Sequence, residues 1–196
     1  GGLPPYAYNV PRTKFDKTVF DLAIREGVTF FNHAAKLEKT GNGNEIKLSD
    51  ATIEAIDDFF NGQPDFFVDA SGRSRTLSRL LNITTNEGKR KDIAIFAHLS
   101  GAEEINPFNI HLHRLEKGWN WRIPLPGRTS VGVVIDPNHL KEFGTTKEEQ
   151  YDAFLKSDEV LKKFTLNSKR ETGVFQYNNY QLISQQMYGK NWLLTG

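Results

Sequence analysis

Apolar and polar residues alternate with a period of two through DIAIFAHLS, FNIHLHRLE, GWNWRIP and TSVGVVID, between Asp92 and Asp136. This pattern predicts four strands of a largely antiparallel sheet. Its sharpest stretch runs from Gly118 to Gly127, where Trp119, Trp121 and Ile123 share one face of an extended strand expected to stop at Pro124. PLPGRTSVGVVID then reads as a turn and a return strand, placing Ser130 to Ile135 beside the tryptophan strand in a hairpin. Two of the three tryptophans on one face make a substantial wall, either core or the lining of a pocket.

Elsewhere the period lengthens. Residues 13 to 26 read as a helix with Thr13 and Asp16 in capping-box spacing, an apolar stripe of Phe15, Val19, Leu22 and Ala23, and Gly27 as its end. VTFFNHAAKLEK is expected as a strand, the turn TGNGNE leads to a return segment EIKLS, and Asp50 is expected to cap a helix running through Phe60, with Ile53, Ile56 and Phe60 buried. DFFVDASG reads as a buried strand entering a tight turn, followed by a helix bearing Leu77, Leu80 and Leu81. Residues 146 to 164 read as helical with an interruption near Ser157, and GVFQYNNYQLI and NWLLTG as strands. A domain boundary is placed in the polar stretch NEGKRKD, giving domains 1–88 and 89–196.

The 196 residues are 38% hydrophobic and 25% charged, the balance of an ordinary globular chain. Twenty-five basic against 24 acidic residues provide no global field for nucleic acid or an anionic membrane, and neither is expected as a partner. The absence of cysteine excludes disulfide, thiolate and cysteine-ligated metal chemistry, and the lack of a long apolar run favours a cytoplasmic location. His111 and His113 alternate onto one strand face, but no third ligand follows at a metal-like spacing, so no metal is expected. No Gly-x-Ser-x-Gly occurs, and the adjacent carboxylates Asp57-Asp58 and Glu148-Glu149 diverge if helical, which leaves hydrolase chemistry without a signature. Arg73, Arg75, Arg79, Lys89, Arg90 and Lys91 form the most basic region and read as solvated surface. Asp69 to Arg73 (DASGR) follows the apolar PDFFV and reads either as an ordinary turn or as one whose glycine lets a ligand approach.

The sequence resembles the flavin-dependent halogenases, a branch of the aromatic-hydroxylase-like FAD oxidoreductases. Their Trp-x-Trp-x-Ile-Pro motif is matched by Trp119, Trp121, Ile123 and Pro124, and two further stretches, YNVPRTKFDKTVFDLAIREGV and PDFFVDASGRSRTLSRLL, agree in family order. The resemblance implies a mixed α/β fold: a partial FAD-binding domain of the aromatic-hydroxylase type packed on an antiparallel substrate-side sheet, with the chain returning to the FAD domain at its C-terminus. It implies FAD as cofactor, with Arg12, Asp69 and Gly72 on the flavin side and Trp119, Trp121, Ile123 and Pro124 lining the substrate site or an internal passage. The family's catalytic lysine has no assignable match, so the catalytic residues are unknown. The opening GGLPPYAYNV lacks a glycine-rich dinucleotide turn, and the closing NWLLTG precedes the family's ribose-binding aspartate, from which a middle piece of a longer enzyme is expected. The activity implied is halogenation of an electron-rich aromatic ring, free or carrier-bound, using reduced FAD from a separate flavin reductase, oxygen and halide. A flavin monooxygenase or reductase on the same scaffold and a non-catalytic scaffold are the alternatives.

Overall fold

The computed structural model describes residues 8–41, 44–102, 108–178 and 181–195. The chain divides into two compact units, one of Gly1–Ala23 with Lys89–Tyr180 and one of Ile24–Gly88 with Gln181–Gly196. Helix α1 (Arg12–Arg25) has no buried residue, and Gly27 closes it at φ +96°. The capping box expected from Thr13 and Asp16 is not made. The helix begins one residue earlier, at Arg12, with the Pro11 carbonyl accepting from the Lys14 and Phe15 amides at 3.1 Å, and Asp16 pairs with Arg12 at 3.0 Å.

In the second unit β1 (Leu37–Thr40) and β2 (Glu45–Leu48) form an antiparallel hairpin. The long strand expected from Val28 to Lys39 shrinks to this segment, because residues 28–36 have no ladder partner among the described residues. Helix α2 (Asp50–Ala55) is capped by Ser49 rather than Asp50, the Ser49 hydroxyl accepting from the Thr52 amide. It ends well short of Phe60: Asp57 and Asp58 turn the chain at positive φ, so they are not helical, Ile56 is buried and Phe60 is exposed. Strand β3 (Phe67–Asp69) is short, and its expected burial is not observed, Val68 being 59% exposed. Helix α3 (Thr76–Leu80) buries Leu77, with Leu80 and Leu81 packed beside it, and β4 (Thr85–Glu87) follows.

The first unit carries the predicted sheet: β5 (Ile93–Ser100), β6 (His111–Leu115), β7 (Gly118–Leu125) and β8 (Arg128–Ile135). After α4 (Pro137–Leu140) come α5 (Lys147–Ser157) and α6 (Glu159–Phe164), and the interruption between these two is set by Asp158, whose carboxylate accepts from the Leu161 amide at 2.9 Å. Strands β9 (Lys169–Arg170) and β10 (Phe175–Asn178) both pair with β5, completing the order β10-β5-β8-β7-β6 with β9 beside β5. Burial alternates strictly along β5: Ile93, Ile95, Ala97 and Leu99 face the core with Val131, Val133 and Ile135 of β8. Helices α5 and α6 cover that face with Tyr151, Phe154, Leu155, Leu161 and Phe164, and the Tyr151 hydroxyl donates to the Val131 carbonyl at 3.0 Å. The chain then returns to the second unit, where β11 (Leu182–Ser184) pairs antiparallel with β4 and β12 (Trp192–Leu194) pairs parallel with β3, burying Trp192 against Ile46 and Leu77.

Strand β7 does not stop at Pro124. By that residue β6 has ended, its last pair being His111 with Arg122, so the missing proline N–H breaks no ladder bond on that side and pairing with β8 continues to Leu125 opposite Arg128. Pro126-Gly127 makes the turn, with Gly127 at φ +75° where a type II turn requires glycine.

Candidate functional site

Period two gives β7 two faces, and the helices take the unexpected one. Asn120 is 1% and Arg122 9% exposed on the helix side, whereas Trp119 is 37% exposed and Trp121 and Ile123 are half-buried on the other. Arg122 lies over the Phe164 ring at 5.2 Å, and burial lowers its pKa against the opposing pull of Asp158. His111 and His113 pair with Arg122 and Asn120 and share their face. His113 approaches Asp158 at 3.9 Å, and no group of three metal-ligating side chains occurs among the described residues.

The tryptophans therefore belong to an aromatic wall on the side of the sheet away from α5 and α6. Ring centroids stand 5.6 Å apart for Trp119–Trp121, 5.7 Å for Phe96–Trp121 and 5.1 Å for Phe96–Phe175, and Tyr177 and His98 extend the cluster around Phe96. Gly132 is its floor: it pairs with both Phe96 and Trp121, and a Cβ there would meet Phe96 Cβ at 2.5 Å and the Trp121 ring at 2.6 Å. The Trp121 Nε1–H donates to Ser130 Oγ at 3.2 Å, fixing the indole across the strand pair. Trp119, Trp121 and Ile123 were legible as one face. Phe96, His98, Phe175, Tyr177 and Gly132 join them only through strand register, and the sole local trace was the i, i+2 spacing of Phe96 with His98 and of Phe175 with Tyr177. Pro124 is buried and lies off this face.

Asp69 and Gly72 lie in the other unit, in one tight turn. The Asp69 carboxylate accepts from the Ser71 and Leu77 amides, both at 2.8 Å, locking the passage from β3 into α3. Burial pushes its pKa up, but the Ser71 hydroxyl and these two amides outweigh it and hold the carboxyl below its ordinary range. Its backbone carbonyl accepts from the Thr195 amide at 2.9 Å, tying the turn to the segment after β12. Gly72 sits at φ +56°, and no atom lies within 4 Å of where a Cβ would stand, so the glycine is required by backbone conformation and its outer side is open. With the Ser71 and Leu77 amides taken by Asp69, the open side of Gly72 leaves room for a ligand to approach the backbone of the turn. Arg12 belongs to the first unit and is exposed, its guanidinium forked onto Asp16 at 3.0 and 3.2 Å, which raises its pKa. The basic residues Arg73, Arg79, Lys89, Arg90 and Lys91 are exposed, with Arg90 paired to Asp92 at 2.6 Å.

Comparison with known proteins gives consistent results. The tryptophan halogenase family model matches residues 3–190. The flavin-dependent halogenase ascD of Acremonium egyptiacum is 32% identical over 176 residues, covering 78% of this chain and 31% of its own length. Among solved structures, a flavoprotein/dehydrogenase from Cytophaga hutchinsonii is 25% identical with a TM-score of 0.78, over 97% of this chain and 47% of that one. The flavin-dependent brominase Bmp2 shares the fold at a TM-score of 0.79 and 21% identity, over 97% of this chain and 49% of its own. The chain thus spans about half the length of these two structures and under a third of the curated relative.

Proposed function

We propose that this chain, which belongs to the tryptophan halogenase family, serves an FAD-dependent enzyme that halogenates an electron-rich aromatic ring. The observation that carries the reading is the aromatic wall: Trp119, Trp121, Phe96 and Phe175 stand half-exposed on the side of the sheet away from its packed core. A planar ring is held by such a surface through stacking and edge contacts, which orient it and exclude water. Ser130 keeps the Trp121 indole in place, and Ile123 extends the wall along β7.

On this reading the turn from Asp69 to Leu77 meets the flavin edge at Gly72, and Asp69 acts by fixing that turn with both carboxylate oxygens. The exposed guanidinium of Arg12 suits a phosphate or carbonyl oxygen of the cofactor. FAD, when bound, supplies the oxidising chemistry with oxygen and halide; the protein's part is orientation and separation of sites. A small aromatic substrate, free or carrier-borne, a separate flavin reductase and a cytoplasmic setting complete the proposal. Among the described residues no helix is long and apolar enough to cross a membrane.

Replacing both Trp119 and Trp121 by Phe in the FAD-loaded protein is expected to lower halogenated product at least tenfold while FAD affinity changes by less than about twofold. Unchanged product formation would remove the wall from the reaction. A second reading, a flavin oxidoreductase without halogen transfer, is favoured by the likeness to the Cytophaga flavoprotein/dehydrogenase. It predicts ring oxidation or electron transfer independent of added chloride or bromide.

A further inference from the structure

The rings on the outward face of the sheet form an unbroken line across β7, β5 and β10. Trp119 and Trp121 stand 5.6 Å apart, Trp121 and Phe96 5.7 Å, and Phe96 and Tyr177 6.0 Å, each inside the range of about 4.5–7 Å for ring contact. Both ends reach solvent: Trp119 is 37% and Tyr177 48% exposed, while Trp121 between them is half-buried. Indoles and phenols are the ring side chains that give up a single electron most readily. Tunnelling between rings falls steeply with the gap between their edges, so contact at every step makes this line a path for electrons. Phe96 is not itself oxidised, but it bridges Trp121 to Tyr177 and stacks on the latter within 20° of parallel.

Protons set the direction. The Trp121 N–H donates to Ser130 Oγ at 3.2 Å, and a neutral hydroxyl is a poor base, so an oxidised Trp121 keeps its proton and remains a strong oxidant. An exposed Tyr177 passes its phenol proton to water as it loses an electron, which traps the missing electron there. Tyr151 does not compete: it is fully buried on the helix-covered side, with its hydroxyl donating to the Val131 carbonyl and no water to take its proton.

We propose that Trp119, Trp121, Phe96 and Tyr177 form an electron relay that carries one-electron oxidising equivalents out of the aromatic wall to the protein surface. The oxidant is an oxygen-derived radical, a by-product of flavin chemistry with oxygen; it takes one electron from an indole and is reduced to its anion. The indole radical cation then takes an electron from Tyr177 through Phe96, and the phenol proton goes to water. A soluble reductant of the thiol or ascorbate class returns a hydrogen atom to the tyrosyl radical, so each passage restores both rings. The inference goes beyond ring halogenation, which uses a two-electron oxidant; the relay disposes of the one-electron kind.

The test is pulse radiolysis of the FAD-loaded protein with azidyl radicals, which oxidise indoles in preference to phenols and need no turnover. Trp192 is 1% exposed, so the tryptophans of the wall are the ones that azidyl meets. The tryptophanyl absorption is expected to convert into tyrosyl absorption in a first-order step whose rate does not depend on protein concentration. Tyr177→Phe abolishes that step, Phe96→Leu slows it, and Tyr188→Phe, at another exposed tyrosine, leaves it unchanged. No tyrosyl radical in the unmodified protein, a rate that rises with protein concentration, or an unchanged rate in Tyr177→Phe or in Phe96→Leu would each overturn the relay. After reduced FAD is cycled in air, peptide mass spectrometry is expected to find more oxidised Trp119 and Trp121 in Tyr177→Phe than in the parent; equal oxidation would overturn the protective role. A working relay in a protein that halogenates nothing would refute the proposed activity and leave this inference standing.

Discussion

Gly132 makes the sharpest demand of any residue in the sheet. Its backbone is ordinary strand, so adding a methyl group would by itself favour the extended chain by about 0.5–1 kcal/mol through reduced unfolded-state freedom. Space decides otherwise. The new Cβ of Gly132→Ala would stand 2.5 Å from Phe96 Cβ and 2.6 Å from Trp121 Cη2, where about 3.4 Å is the normal approach. Phe96 Cβ is rooted in a central strand, so β5 and β8 must shift apart while the indole lifts by close to 1 Å, straining its bond to Ser130 Oγ and its contact with Trp119. Overpacking costs about 1–3 kcal/mol, and with two contacts violated by close to 1 Å the upper end, about 2–3 kcal/mol, applies; subtracting the backbone gain leaves a net loss of about 1–2.5 kcal/mol, or roughly 2–10 °C in melting temperature for a chain of this size. Thermal unfolding followed by circular dichroism reads both consequences, because the Trp119–Trp121 pair at 5.6 Å should contribute a coupled signal that changes when the indole lifts. A Gly132→Ala protein as stable as the parent with an unchanged tryptophan signal would refute the seating of Trp121 on this glycine.

The turn at Asp69 yields a second expectation: Asp69→Ala frees the Ser71 and Leu77 amides and should cost about 1–3 kcal/mol in denaturant unfolding while weakening FAD binding; if affinity is unchanged, the turn does not meet the cofactor. Acid supplies a third. Glu149 closes a capping box with Thr146, and hydrogen bonds from the Thr145 hydroxyl and the Thr146 and Thr145 amides hold its pKa at about 2. A carboxyl depressed on folding contributes stability above its unfolded pKa that is lost as pH falls through the folded value, so Glu149→Gln should flatten the fall in stability between about pH 4 and pH 2. An acid limb identical in Glu149→Gln and parent would contradict this. Thr146→Ala, which removes the other half of the box, should cost about 1 kcal/mol at neutral pH in the same unfolding assay, and no loss would mean the cap is dispensable.

Where the physics is local, the sequence was a sufficient guide. Alternation along Ile93–Ser100 and Arg128–Ile135 and the Pro126-Gly127 turn act within a few residues, and the antiparallel strands and the hairpin followed from them. The Trp-x-Trp-x-Ile-Pro pattern likewise carried the family. Element ends were less secure because neighbouring residues compete for one role. Ser49 and Asp50 are both good caps, and the choice went to Ser49, whose hydroxyl also meets that of Thr52 at 3.1 Å while Thr52 accepts from the distant Lys36 amide at 2.9 Å. Asp16 had two partners within reach and took Arg12.

The candidate site was decided by tertiary structure alone. A period of two says that β7 has two faces, not which of them is covered. Tyr151, Phe154, Leu161 and Phe164 lie 16 or more residues beyond Ile135, and once they pack on the Val131 and Val133 side, Asn120 and Arg122 are enclosed with them and the tryptophans are turned outward. Strand pairing then carries Phe96, His98 and Phe175 to the same side as Trp121, although Phe175 is 54 positions away from it. A sheet assembles its faces by register across strands, and register depends on partners that no window along the chain contains.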